Sequence, residues 1–123
     1  MSVQIQPEPQ TLVPREYRAS LEAGRSLAQQ SGKPCSISTL KLFDPAGRWA
    51  YYAFEAYERD DGEYILHGFC VSPVGNSSDG WKTMSVTEIE AMRNRFGLPM
   101  KRDRKFSFVT RAAIERGERV SSP

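Results

Sequence analysis

Apolar residues change their spacing along the chain, and each change marks a different kind of element. From Pro14 onward, Tyr17, Leu21, Leu27 and Ala28 recur at intervals that share one side of a helix, until Ser31-Gly32-Lys33-Pro34 stops it. This predicts an amphipathic helix over about Pro14–Gln30, with the proline in the first turn, where its missing N–H costs nothing. Gln4 to Gln10, with Pro7 and Pro9, shows no period and predicts a flexible leader over about residues 1–12.

From Cys35 the pattern becomes short aromatic and β-branched runs between turn formers. Ile37–Phe43 reads as a strand ending at Asp44-Pro45-Ala46-Gly47, which suits a type I turn. Trp49–Tyr57 returns from that turn, and its apolar residues on both faces predict a central strand covered on both sides. Asp60-Asp61-Gly62 makes the next turn, and Tyr64–Val71 completes a three-stranded meander. Ser72–Gly80 is a run of turn formers, expected as a mobile surface loop, before a short fourth strand at Trp81–Met84.

Ser85-Val86-Thr87-Glu88 fits the capping box, in which Ser85 accepts from the Glu88 amide while the Glu88 side chain reaches back, with Met84 and Ile89 placed to staple it. Ile89, Met92 and Phe96 then predict the buried face of a second helix running to Gly97, beyond which Leu98-Pro99 prevents continuation. Phe106–Val109 adds an edge strand, with Phe106 and Phe108 on one core-facing side. Thr110 caps a short helix over Arg111–Arg116, and a loose tail follows at about residues 118–123. The expected fold is one α+β domain. It is an antiparallel sheet of four to five strands packed with two main helices and a short C-terminal helix.

Composition sets limits on this picture. With 123 residues, 39% of them hydrophobic, the chain can bury one small core. No run approaches the roughly 18 apolar residues of a membrane span, and the N-terminus lacks the regions of a secretory signal, so a cytoplasmic setting is expected. Cys35 and Cys70 are too few for a zinc CxxC pair or a disulfide framework and are expected to stay reduced.

Charge is unevenly spread. Residues 1–90 carry 8 Lys/Arg against 12 Asp/Glu, a net of −4, whereas residues 91–123 carry 9 against 3, a net of +6. Twelve of the 17 cations are arginine, whose planar fork suits phosphate or carboxylate. The expected partner is therefore nucleic acid or an acidic protein surface.

Candidate chemistry is sparse. His67, the single histidine, sits mid-strand among Ile65, Phe69 and Val71 and reads as structural. Glu58, Asp60, Asp61 and Glu63 surround a hairpin turn, where acids solvate the bend. The chain has no GxxxxGK[ST] loop, GxGxxG, GxSxG elbow or HExxH, and no metal or cofactor is expected. The basic residues stand out instead. Arg93, Arg95, Lys101, Arg104, Lys105 and Arg111 are the candidate partner- or phosphate-binding residues, and Asn76, Ser77, Ser78 and Asp79 form a candidate binding loop.

Trp49-Ala50-Tyr51-Tyr52, His67-Gly68-Phe69, Met84-Ser85-Val86-Thr87-Glu88-Ile89-Glu90 and Phe96-Gly97-Leu98-Pro99-Met100-Lys101-Arg102-Asp103 occur in an order that resembles the bacterial family named domain of unknown function 2958. The resemblance covers about residues 40–108. Gly97, Leu98, Pro99, Arg102 and Asp103 match the family pattern and are expected to be structural, while Lys101 stands where the family has glutamate. Family membership attaches no activity. It implies an accessory gene of a plasmid, phage or integrated element, and small proteins of that setting often act by stoichiometric binding. The expectation is a non-catalytic protein that antagonises a host defence or nucleic-acid-handling complex. Direct nucleic-acid binding through the basic 93–119 region is the alternative, and a small enzyme using His67 is the second alternative.

Overall fold

A computed structural model describes residues 12–117 of the chain. The expected tail, residues 118–123, lies outside that range, as does all of the leader except Leu12. Leu12 does not belong to a flexible leader: it is buried, and Val13 beside it is fully enclosed. The first helix, α1, spans Arg15–Ser31 and ends where Gly32 takes φ 73 and returns its N–H to Ala28 O. Only glycine adopts that conformation cheaply.

The expected strand at Ile37–Phe43 is two strands. β1 (Ile37–Ser38) and β2 (Leu40–Phe43) separate at Thr39 because the buried Ser38 hydroxyl donates across to Ala53 O at 2.6 Å. β3 (Ala50–Glu58), β4 (Tyr64–Val71) and β5 (Gly80–Ser85) follow, with a 3-10 turn at Asn76–Ser78 before β5. Then come α2 (Val86–Ala91), β6 (Lys101–Arg102), β7 (Val109–Thr110) and α3 (Arg111–Glu115). The main sheet is antiparallel in the order β5-β4-β3-β2-β6, so β3 is central, and β1 pairs with β7 in a separate two-stranded sheet. The expected edge strand at Phe106–Val109 shrinks to β7, and Phe108 is exposed rather than core.

Both faces of the main sheet are covered, as the apolar pattern of β3 requires. On one face, Leu42, Tyr51, Ala56 and Leu66 meet Val13 and Leu21 from the α1 region, Val86 and Ile89 from α2, and Met100. On the other, Tyr52, Phe54 and Phe69 meet Val109, Ile114 and Phe106.

A bulge at Phe54 shifts the β3–β4 register between Ala53 and Glu55. Opposite it, Gly68 has no room for a side chain: a Cβ there would lie 2.1 Å from Tyr52 O. The Tyr51 hydroxyl donates toward Leu66 O and Lys82 O. Burial raises the Tyr51 pKa far above the usual phenol value.

The second helix is half its expected length. Ser85 caps it, accepting from Glu88 N–H at 3.0 Å, and Met84 and Ile89 are buried as staple residues, but the Glu88 side chain stays exposed and does not complete the expected capping box. It ends at Ala91, because Met92 is already extended (ψ 139) and Asn94 offers the backbone another partner. The Asn94 carboxamide oxygen accepts from Phe96 N–H at 2.9 Å and Leu98 N–H at 3.0 Å. Such local bonds compete directly with a helix ladder. Phe96, expected on a buried helix face, is therefore 61% exposed on a turn.

Candidate functional site at the loop end of the sheet

Three connections gather at one end of the main sheet: the β2–β3 turn, the β4–β5 loop and the Met92–Pro99 tip. Side chains fasten them to one another. Asn94 Nδ2 donates to Asp44 Oδ1 at 2.9 Å, tying the tip to the turn. Arg48 grips Asp79 with two parallel bonds of 2.9 Å, tying the turn to the loop. Asp79 also accepts from Ser72 N–H at 2.7 Å, and Arg48 donates to Ser72 O. A bidentate guanidinium–carboxylate pair is among the strongest polar contacts available to a surface loop. The loop expected to be mobile is thus pinned at both ends.

Between these segments lies a cavity of about 460 Å³. Trp49, Cys70, Met84 and Met92 supply its apolar lining, while Ser72, Ser78, Lys82 and Glu88 supply its polar groups. Burial raises the Cys70 thiol pKa, so the cavity holds a neutral thiol rather than a reactive thiolate.

Of the tip, Met92 alone lines this cavity. Arg93 pairs with Pro99 across it, and the Arg93 guanidinium donates to Glu90 O and Met92 O, each at 2.8 Å, closing the end of α2. Gly97 takes φ 76 at the turn. Phe96 and Leu98 (45% exposed) point outward, and the Arg95 guanidinium lies 4.8 Å from the Phe96 ring centre. Val74 on the neighbouring loop is also exposed.

The sequence-derived candidates divide between this end and other places. Arg93, Arg95 and the 76–79 loop meet here, and Lys101, paired with Phe43 beside the turn, lies close by. Arg104 and Lys105 are exposed farther along the β6 side. Ser77 and Ser78 are also exposed, but Asp79 is not a free loop residue, because its side chain is only 6% exposed against Arg48. Arg111 lies elsewhere. Its guanidinium sits 3.9 Å from the Trp81 ring centre on the second core face and donates to Cys35 O at 3.0 Å, so it is occupied with packing.

Arg102 and Asp103 point to opposite sides of β6. Arg102 lies over the Tyr17 ring, while buried Asp103 faces Lys41 at 3.8 Å and accepts from Lys105 N–H at 3.0 Å. Desolvation lowers the Lys41 pKa and Asp103 only partly offsets it. His67 stacks on Trp81 and shares a 3.2 Å hydrogen bond with Thr83, lining neither the cavity here nor the groove beside α1. Among the described residues, no group of three His, Cys, Asp or Glu could hold a metal ion, and no helix is long and apolar enough to cross a membrane.

Sequence reasoning missed Asn94, Arg48 and the outward Phe96 and Leu98. Asn94-Arg95-Phe96-Gly97 is itself a turn signature, with asparagine first and glycine fourth, and could have revealed the tip. No local signal pairs Arg48 with Asp79, which are 31 residues apart.

No match to the chain was found among the curated proteins or the solved structures. A family model described as "Protein of unknown function (DUF2958)" matches residues 12–114, extending the resemblance back through α1 and forward into α3. The chain belongs to the DUF2958 family.

Proposed function

We propose that this protein is a non-catalytic binding protein of a plasmid, phage or integrated element, antagonising a host defence or nucleic-acid-handling complex by stoichiometric contact through the loop end. The accessory-gene setting is what the family implies, and the mode of action is argued from the surface. The observation that carries it is the tip. Phe96 and Leu98 are held outward on a turn fixed by the Asn94 bonds, next to exposed cations. Fully burying such side chains is worth about 1.5–3 kcal/mol each, so a partner that covers both gains from contact with the tip. Aromatic and arginine anchors dominate interface energies.

The test is capture from a bacterial lysate, with and without nuclease treatment, using the wild type and a Phe96→Ala, Leu98→Ser double variant. Stoichiometric recovery of a protein complex by the wild type, lost in the double variant, supports the reading. Recovery that disappears on nuclease treatment, together with tight binding of random duplex, would transfer the role to nucleic acid.

A further inference from the structure

Building on that binding role, we infer that the loop end takes an acidic protein surface containing an apolar pocket, with Phe96 entering the pocket and Arg95 and Lys101 meeting carboxylates around it. The argument is a sorting of charges. The aspartates beside the tip are engaged inward: Asp44 accepts from Asn94 and from Ala46 N–H, Asp79 is held by Arg48 and Ser72, and Asp103 faces Lys41. Four of the cations form no ion pair. Among the described residues, Arg95, Lys101, Arg104 and Lys105 have no carboxylate within ion-pair distance. Glu88 and Glu90 stay exposed on α2, where Glu88 shares the cavity lining with Lys82. The β6 side of the tip therefore presents positive charge that the fold leaves uncompensated.

Charge complementarity alone would also fit nucleic acid. The apolar pair argues against a duplex, because a ring beside a guanidinium gains most when it enters a dry pocket ringed by opposite charge, which a duplex backbone does not offer; stacking of single-stranded bases on the ring is an outcome of the test. The fixed backbone argues in the same direction. Hydrogen bonds from Phe96 N–H and Leu98 N–H to Asn94, and from Asn94 to Asp44, give the tip one shape before binding, which favours a shaped pocket over the fluid surface of an anionic bilayer.

The test titrates the full chain with a synthetic peptide of alternating glutamate and leucine. Comparison probes are the same peptide with serine for leucine, random-sequence duplex and single-stranded DNA, and phosphatidylglycerol–phosphatidylcholine vesicles. Sedimentation of the protein alone runs beside them. The Glu/Leu peptide should bind about tenfold tighter than the Glu/Ser peptide, and Phe96→Ala and the Arg95→Glu, Lys101→Glu pair should each weaken it about tenfold. Phe96→Trp should retain binding and shift its emission to the blue as the ring enters an apolar site. Leu27→Ala, on the groove beside α1, should change nothing.

Equal binding of the two peptides, tighter binding of either DNA or of vesicles, self-association lost in Phe96→Ala, or an unshifted tryptophan would each overturn the assignment. If lysate capture depends on Phe96 while neither peptide binds, the acidic chemistry fails and the binding role stands. If capture is also indifferent to Phe96, both fail.

Discussion

The β3–β4 turn at one end of the sheet and the three joined loops at the other are both rich in aspartate, but the carboxylates are used differently. At the first end, Asp61 reaches back to Arg59 at 2.7 Å, with the two side chains 56% and 50% exposed, and Glu63 N–H donates to the same aspartate. The turn is self-contained and wet. At the other end, Asp79 is 6% exposed and Asp44 bonds a residue 50 positions away. There the carboxylates join segments that the chain does not bring together by itself. The same residue type thus solvates one turn and cements the other, and only the second use ties stability to the shape of a candidate interface.

Breaking the clasp between Arg48 and the buried Asp79 carboxylate should have the largest effect. Asp79→Ala leaves the Ser72 N–H without its acceptor and releases the Arg48 guanidinium from the loop, and should lower stability by about 2 kcal/mol, read as a lower urea midpoint with little change in slope. A loss below about 0.5 kcal/mol would put the loop end on the same footing as the far turn. Asn94→Ala should cost about 1–2 kcal/mol and raise amide exchange across 94–98 without affecting 59–63. Uniform protection would show that the tip does not need its carboxamide. Ser85→Ala, which uncaps α2, should cost about 1 kcal/mol, whereas Ser77→Ala should leave the midpoint unchanged.

The sheet joining the two ends adds a pH test. Tyr51 has its pKa raised by burial, so folding keeps its proton while the unfolded chain releases it near pH 10. Its contribution is complete below that pH and is lost as pH rises above it. Alkaline titration of the urea midpoint should therefore fall less steeply in Tyr51→Phe. The smallest effect belongs to the wet end. Arg59 holds the Asp61 carboxyl below its ordinary pKa, a contribution present above the usual carboxylate range and lost as pH falls through the lowered value. Because both groups are exposed, Asp61→Asn should leave the neutral-pH midpoint within error and alter only its acid limb.

The legible parts of the fold are those in which local pattern and burial agree. α1 begins and ends within one residue of the spacing-based reading, and the β3–β4 meander and the caps at Ser85 and Thr110 lie where expected. The second helix failed because Met92 and Phe96 stand at a helical interval while the Asn94 carboxamide satisfies the Phe96 and Leu98 N–H groups instead. The strand from Ile37 failed at Ser38 for a related reason, a hydroxyl bonding across to β3. The cationic character of the candidate site was readable residue by residue, but direction was not. Arg111 turned inward because its partner, Cys35 O, lies 76 residues away, and Asp79 did so because of Arg48. These are tertiary contacts that no sequence window contains.

Pairing β1 with β7 has a consequence for the order in which the molecule can be assembled. Val109 and Ile114 complete the second core, and Arg111 N–H closes onto Ser36 O at 2.8 Å. During synthesis, Tyr52, Phe54 and Phe69 can pair into the sheet long before residues 106–114 emerge to cover that face. A chain with these strands paired and residues 106–114 undocked would leave that apolar face bare, and so open to chaperone capture or proteolysis.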